Sequence, residues 1–207
     1  MDFREEIKRE AATLFFQLGV KKVKMDTIAQ RLKVSKRTIY ENFRNKDTLI
    51  RDTIDFVQKE QNDINKKILN ESDNIIKAVL GLLKNGSELL SRINQLYYSD
   101  LQRLYPNIWD DKIKESKIHS CNLILELLKK GKREGIYRKD TNEEIIALIL
   151  IQQLYMLSDQ NVFPGTRFSI SQVYENIIIT MTRGLATAKG LKLLEDYQVQ
   201  AEKTGYA

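Results

Sequence analysis

Cysteine and histidine each occur once in the 207 residues, as Cys121 and His119. One cysteine cannot form an internal disulfide, and one histidine cannot build a histidine-rich metal site. The two are two positions apart on a predicted helix and so face different directions, which disfavours a Cys-His nucleophile pair. The sequence also lacks a glycine-rich phosphate loop and a GxSxG elbow. The adjacent acids Asp110 and Asp111 in "WDDKIKE" read as a solvated helix start. The chain is therefore expected to be no enzyme, with no catalytic or metal-ligating set and no cofactor.

Proline is scarce, at Pro106 and Pro164, and glycine occurs nine times, so long uninterrupted helices are available almost everywhere. Alternating strand patterns punctuated by turn dipeptides are missing, and the expected fold is all-α. No run approaches the roughly 18 consecutive apolar residues of a membrane span. The longest apolar stretches, "EIIALILIQQLYML" and "ENIIITM", are interrupted by polar groups and suit buried helices or subunit contacts. The beginning, "MDFREEIKRE", carries acids and no apolar signal core, so a cytoplasmic location and no membrane partner are expected.

What the chain does have is helical periodicity. "FREEIKREAATLFFQLG" sets Ile7, Ala11, Leu14, Phe15 and Leu18 on one stripe and ends at Gly19, a residue suited to a helix C-terminus. "MDTIAQRLK" places Ile28, Ala29 and Leu32 on one face, with Asp26 in the first turn where the helix dipole favours an anion. "VSKRTIYENF" follows, with Ser35 placed as an N-cap. A long helix is predicted from about Lys46 to Leu69 with Leu49, Ile50, Ile54 and Val57 inward. Further helices are predicted near 73–84, 86–103, 107–134, 142–159 and 169–188, with a partly helical tail over 189–207.

Ile39 and Phe43, four apart, share a face and would pack on Ile28, Ala29 and Leu32. The small Ala29 allows the steep, close crossing of a helix-turn-helix. From Val20 to Lys46 there are nine basic residues (Lys21, Lys22, Lys24, Arg31, Lys33, Lys36, Arg37, Arg44, Lys46) against Asp26 and Glu41, a net +7, whereas the whole chain is +6. The basic character is thus localised, as expected of a surface that meets phosphates. The loop lysines Lys21, Lys22 and Lys24 serve equally well as a solvated stretch or as contacts to a polyanion.

"KMDTIAQRLKVSKRTIYENFRNKDTLI", residues 24 to 50, resembles the DNA-binding region of TetR-type transcriptional regulators: an Ile-Ala pair, a Val-Ser-Lys turn, an Ile-Tyr pair, Phe, then Asn-Lys and Leu. The resemblance is specific over residues 3 to 50. Beyond them it rests on chain length, helix count and "KREGIYRKDTNEEIIALIL". It implies an all-helical homodimer with an N-terminal three-helix DNA-binding domain, here 1–46, and a C-terminal effector-binding and dimerisation domain, here 47–207. Ser35, Lys36, Arg37 and Thr38 would then start the recognition helix, and Thr27, Tyr40 and Lys46 match positions that hold phosphates. Lys24, Glu41 and Asn42 complete the expected DNA-facing set. Arg37 is favoured for reading bases, because its fork pairs with guanine O6 and N7. Glu41 could accept from cytosine N4 or simply pair with Arg37.

The chain departs from the pattern at Lys33, where the family usually has Gly, and at Lys24, where a Ser or Thr cap is common. A left-handed Lys33 would cost roughly 1 kcal/mol.

Tyr97, Tyr98, Tyr105 and Trp109 gather around Pro106, and His119, Tyr155 and Phe163 could join them. Such groups form either an ordinary aromatic core or the wall of a small-molecule pocket. Tyr98, Trp109, His119 and Tyr155 are the candidate effector contacts. "NEEIIALILIQQLYML" and "ISQVYENIIITMTRGLATA" are more apolar around their circumference than surface helices, compatible with the dimer interface that the resemblance implies. The expected function is a homodimeric repressor that a small-molecule effector releases from a palindromic operator in double-stranded DNA. The alternatives are a helical scaffold offering its basic face to an acidic partner, and sequence-independent binding to nucleic acid or an anionic membrane.

Overall fold

The computed structural model describes residues 2–157, 159 and 161–203. Their regular elements are ten helices: α1 (Phe3–Leu18), α2 (Met25–Arg31), α3 (Lys36–Asn42), α4 (Lys46–Glu71), α5 (Ile75–Ser91), α6 (Leu96–Leu104), α7 (Pro106–Arg133), α8 (Glu143–Met156), α9 (Ile170–Leu185) and α10 (Ala188–Lys203). The all-α expectation holds among these residues, which otherwise contain an isolated bridge between Tyr137 and Ala186. None of the described helices is long and apolar enough to cross a membrane.

Packing divides the chain into two compact units, Met1–Asn65 with Ser91–Glu115, and Lys66–Leu90 with Ser116–Ala207. The predicted helix-turn-helix segment lies wholly in the first. Its core joins Ile7, Ala11, Leu14 and Phe15 of α1 to Ile28 and Ala29 of α2, Ile39 of α3 and Phe43, with Leu49 and Ile50 of α4 and Tyr97, Leu101 and Ile108 from later in the chain. The apolar stripe predicted on α1 is buried as far as Phe15, but Leu18, one turn on, is 41% exposed because the helix ends there.

Asp2 caps α1, accepting from the Arg4 N–H at 3.1 Å, and Glu5 and Glu6 occupy the dipole-favoured first turn. Gly19 ends the helix at φ 80°, a conformation open to glycine without penalty, and its N–H donates to the Phe15 carbonyl. On α4 the buried residues are Leu49, Ile50, Thr53 and Phe56, while Ile54 and Val57 are half-buried. The inward face is thus set one position before the predicted one, because the Phe56 ring is the larger group to remove from water.

In the second unit, Ile75, Ile76 and Ala78 of α5, Ile124 and Leu128 of α7, Ala147, Leu150 and Ile151 of α8, Leu185 of α9 and Leu194 of α10 form the core. The break predicted between 84 and 86 does not occur: α5 runs through Gly86 to Ser91, and α6 is a separate helix. Gly86 is there for closeness, since a Cβ at that position would stand 2.6 Å from the Tyr174 hydroxyl. Asn142 caps α8 through two backbone N–H groups, and Ser169 with Gln172 forms a capping box on α9. The tail expected to be partly helical is a helix as far as Lys203, with Leu194 buried; residues 204–207 lie outside the described residues.

Candidate nucleic-acid interface

Helix α3 has seven residues, too few to persist by itself in water. It stands because Ile39 and the residue that closes it, Phe43, are wholly buried. Truncating either to Ala would cost roughly 2–5 kcal/mol by transfer and cavity terms. At the α2–α3 turn the Val34 N–H donates to the Ala29 carbonyl at 3.0 Å, and Ala29 is buried. Lys33 has φ 55°, so this turn holds a lysine in the left-handed region where glycine is free of strain.

Ser35 is the N-cap of α3. Its Oγ accepts from the Thr38 N–H at 3.1 Å and lies 2.8 Å from Thr38 Oγ1. At the other end, the Asn42 side chain donates back to the Thr38 carbonyl at 2.9 Å. The exposed face of the helix carries Lys36, Arg37, Tyr40 and Glu41. Arg37 is the most projecting, 87% exposed, and its Nε donates to Glu41 one turn on at 2.8 Å. Of the two roles open to Glu41, it takes the pairing with Arg37 here. An exposed pair of this kind is worth little and opens readily to a better acceptor.

Lys36 lies 2.8 Å from Asp26, and the hydrogen bond to that carboxylate raises the pKa of its ammonium. The same ammonium stands 5.8 Å from the centre of the Tyr40 ring. Arg31 pairs with Glu10 at 2.9 Å. Lys21, Lys22, Lys24, Lys33 and Arg44 are all exposed. Lys24 stands at the N-cap of α2, where its ammonium, a donor only, cannot cap the helix, and its side chain is exposed; Thr27 in the first turn is half-buried.

Lys46 is placed differently. Its Nζ donates to the Val20 carbonyl at 2.6 Å, and burial lowers its pKa, with Asp100 and then Asp47 opposing the fall. Sequence reasoning also missed Arg4. Its guanidinium donates to the Asn42 carbonyl at 2.7 Å and to Asp52 at 2.6 Å, and covers the Phe43 ring 4.3 Å from its centre. It ties the C-terminal end of α3 to α1 and α4. No local pattern announces a contact 38 residues away.

Tyr98 and Trp109 belong to the first unit and pack against its core, their rings edge to face at 6.3 Å. Tyr98 also meets Tyr97 edge to face, and burial pushes its phenol up to about 12. His119 and Tyr155 belong to the second unit: His119 is exposed, and the Lys117 ammonium lies 4.2 Å from the centre of the Tyr155 ring. An open cavity of about 400 Å³ in the second unit lies between α8 and α9 and is lined by Gln153, Phe163, Asn176, Ile177, Thr180 and Met181 among others. None of the four candidate effector contacts lines it.

Residues 7–53 match the sequence profile of the bacterial regulatory proteins of the tetR family. The chain is 24% identical to the uncharacterized HTH-type transcriptional regulator YvaF of Bacillus subtilis over 165 residues, 78% of this chain and 84% of that one. It is 20% identical to the HTH-type transcriptional repressor KstR2 of Mycolicibacterium smegmatis over 196 residues, 91% of this chain and 93% of that one. A solved transcriptional regulator from Cytophaga hutchinsonii superposes with a TM-score of 0.68 at 18% identity, covering 88% of this chain and 98% of that one. The last of these extends the likeness of fold beyond the helix-turn-helix into the C-terminal helices. In its matched N-terminal segment, residues 7–53, the chain is similar to the bacterial regulatory proteins of the tetR family, and the likeness of fold extends over most of its length.

Proposed function

We propose that the protein is a homodimeric repressor that reads a palindromic operator with α3 and is released from it by a small-molecule effector. One observation carries the DNA-reading part. A short helix anchored by wholly buried Ile39 and Phe43 holds Arg37 out at 87% exposure, among the cations that make residues 20–46 strongly basic. A flexible basic tail would offer charge without register. Here the register is fixed, so the Arg37 fork can address guanine O6 and N7 for about 1–3 kcal/mol of discrimination.

Ser35, Lys36 and Thr38 enter the groove beside it. Lys24, Thr27 and Tyr40 face phosphates, and Glu41 and Asn42 steer the arginine and the helix end. Regulation rather than catalysis is the output, in keeping with the family.

The dimer reading rests on α8, which exposes Ile145, Leu148, Ile149 and Met156. An isolated chain would leave that apolar face in water. A two-fold dimer carries two recognition helices, so its operator is a palindrome. The effector would bind through the C-terminal helices, with His119 and Tyr155 its expected contacts in the second unit, and shift the population toward a form that cannot span both half-sites.

The test is selection of bound sequences from random duplex DNA by the full chain at near-physiological salt. Enrichment of a palindrome supports the reading. Equal retention of every duplex would overturn it in favour of charge-driven binding or an acidic protein partner.

A further inference from the structure

The peptide group joining Val20 to Lys21 is held at both of its polar ends. Its carbonyl accepts from Lys46 Nζ at 2.6 Å, and its N–H donates to Asp100 Oδ2 at 2.7 Å. The cation comes from the start of α4 and the carboxylate from α6, and Asp100 is only 6% exposed. A buried carboxylate is costly unless its oxygens are used, and this one is spent on a main-chain donor in a loop. The fit is tight. A Cβ on Gly19, which has φ 80°, would stand 2.8 Å from the same Oδ2, so the loop is shaped to admit the carboxylate.

The neighbouring chain is tied in the same direction. The Asn94 N–H donates to the Phe16 carbonyl at 2.7 Å, fixing the end of α1 to the segment before α6. Beyond the held peptide come exposed Lys21, Lys22 and Lys24, then α2. The orientation of that one peptide plane therefore sets where the basic loop leaves the core. The Asp100 carboxylate also acts on the Lys46 ammonium, partly offsetting the effect of its burial.

We infer that Asp100 is a positioning residue for DNA binding: with Lys46 it clamps the Val20–Lys21 peptide and thereby aims the basic loop 21–24 at the phosphate backbone. The inference rests on the DNA-reading function proposed above and names a residue of α6, outside the helix-turn-helix, that this function needs. Asp100 itself touches no nucleic acid; it acts through the loop.

The test uses the full chain, the duplex enriched by random selection, and Asp100→Asn and Asp100→Ala. Asn keeps an acceptor oxygen but loses the charge, and Ala loses both. Three readouts are taken: operator affinity across a salt series, thermal melting, and hydrogen exchange at the Lys21 amide. The expected order is wild type, then Asn, then Ala, in Lys21 protection, in affinity and in the steepness of the salt dependence. The slope becomes shallower by about one for each phosphate that the loop no longer neutralises.

A purely structural role would lower the melting temperature and the active fraction while leaving the slope at its wild-type value. If the Ala variant does not fold, wild type against Asn decides by the same three readouts. Faster exchange at Lys21 with affinity and slope unchanged would overturn the inference. A wild-type protein that selects no duplex would instead overturn the DNA-reading function itself, so the two failures are distinguishable.

Discussion

Lys33 occupies the left-handed region at φ 55°, among the described residues the one non-glycine to do so. Lys33→Gly should therefore stabilise the chain by up to about 1 kcal/mol, offset in part by the greater freedom of glycine in the unfolded state, as read by denaturant unfolding. Ser35→Ala should act in the opposite sense, costing about 1 kcal/mol by uncapping α3. Both features were legible in the sequence because turns and caps are decided within four residues. Lys46 was legible as a cation but not as a donor to Val20, 26 residues earlier. Asp100 carried no signal at all, since its partner is a main-chain N–H 79 positions away.

Among the elements, α3 shows the division of labour most plainly: the period of its apolar residues gives the anchor, and what remains is presented. Arg4 reinforces this from α1. Arg4→Ala should cost about 1 kcal/mol, mainly from the lost bond to the Asn42 carbonyl, since the Asp52 pair is partly exposed and screened. It should weaken operator binding by more than its effect on stability explains, because the end of the recognition helix loosens. Parallel measurement of melting temperature and operator affinity checks this.

The helices α1, α2 and α3 were readable from spacing because each exposes one face. The end of α5 was not, because Gly86 reads equally as a stop and as room for Tyr174. The face of α4 was displaced for a related reason. Leu49 and Ile50 begin two adjacent rows, one continuing through Thr53 and Phe56 and the other through Ile54 and Val57, and periodicity does not choose between them.

For the whole molecule, the apolar face of α8 is the feature that an isolated chain leaves unexplained, with Leu148 57% exposed. Leu148→Glu places a charge in the middle of that face and should convert a dimer to monomers in analytical ultracentrifugation. Operator affinity should fall with it, while each chain remains helical by circular dichroism. If wild type already sediments as a monomer at operator-binding concentrations, the two-fold reading is wrong. The likeness to the tetR family was legible from a short segment, residues 24–50, whose turn chemistry and charge are both local. The candidate effector contacts were not legible at that level. Tyr98 and Trp109 pack on the core of one unit while His119 and Tyr155 belong to the other, and aromatic residues give the same sequence signal in a core as in a pocket wall.

The base-reading part of the proposed function turns on whether Arg37, held out on α3, reads bases rather than merely neutralising phosphates. Selection from random duplexes, run in parallel with wild type and Arg37→Ala, decides it. A base-reading Arg37 gives a palindrome enriched by wild type, with selectivity relaxed by about 1–3 kcal/mol at one position of each half-site in the variant. An unchanged preference profile, with affinity lowered uniformly over all duplexes, would contradict that role and make Arg37 a phosphate contact.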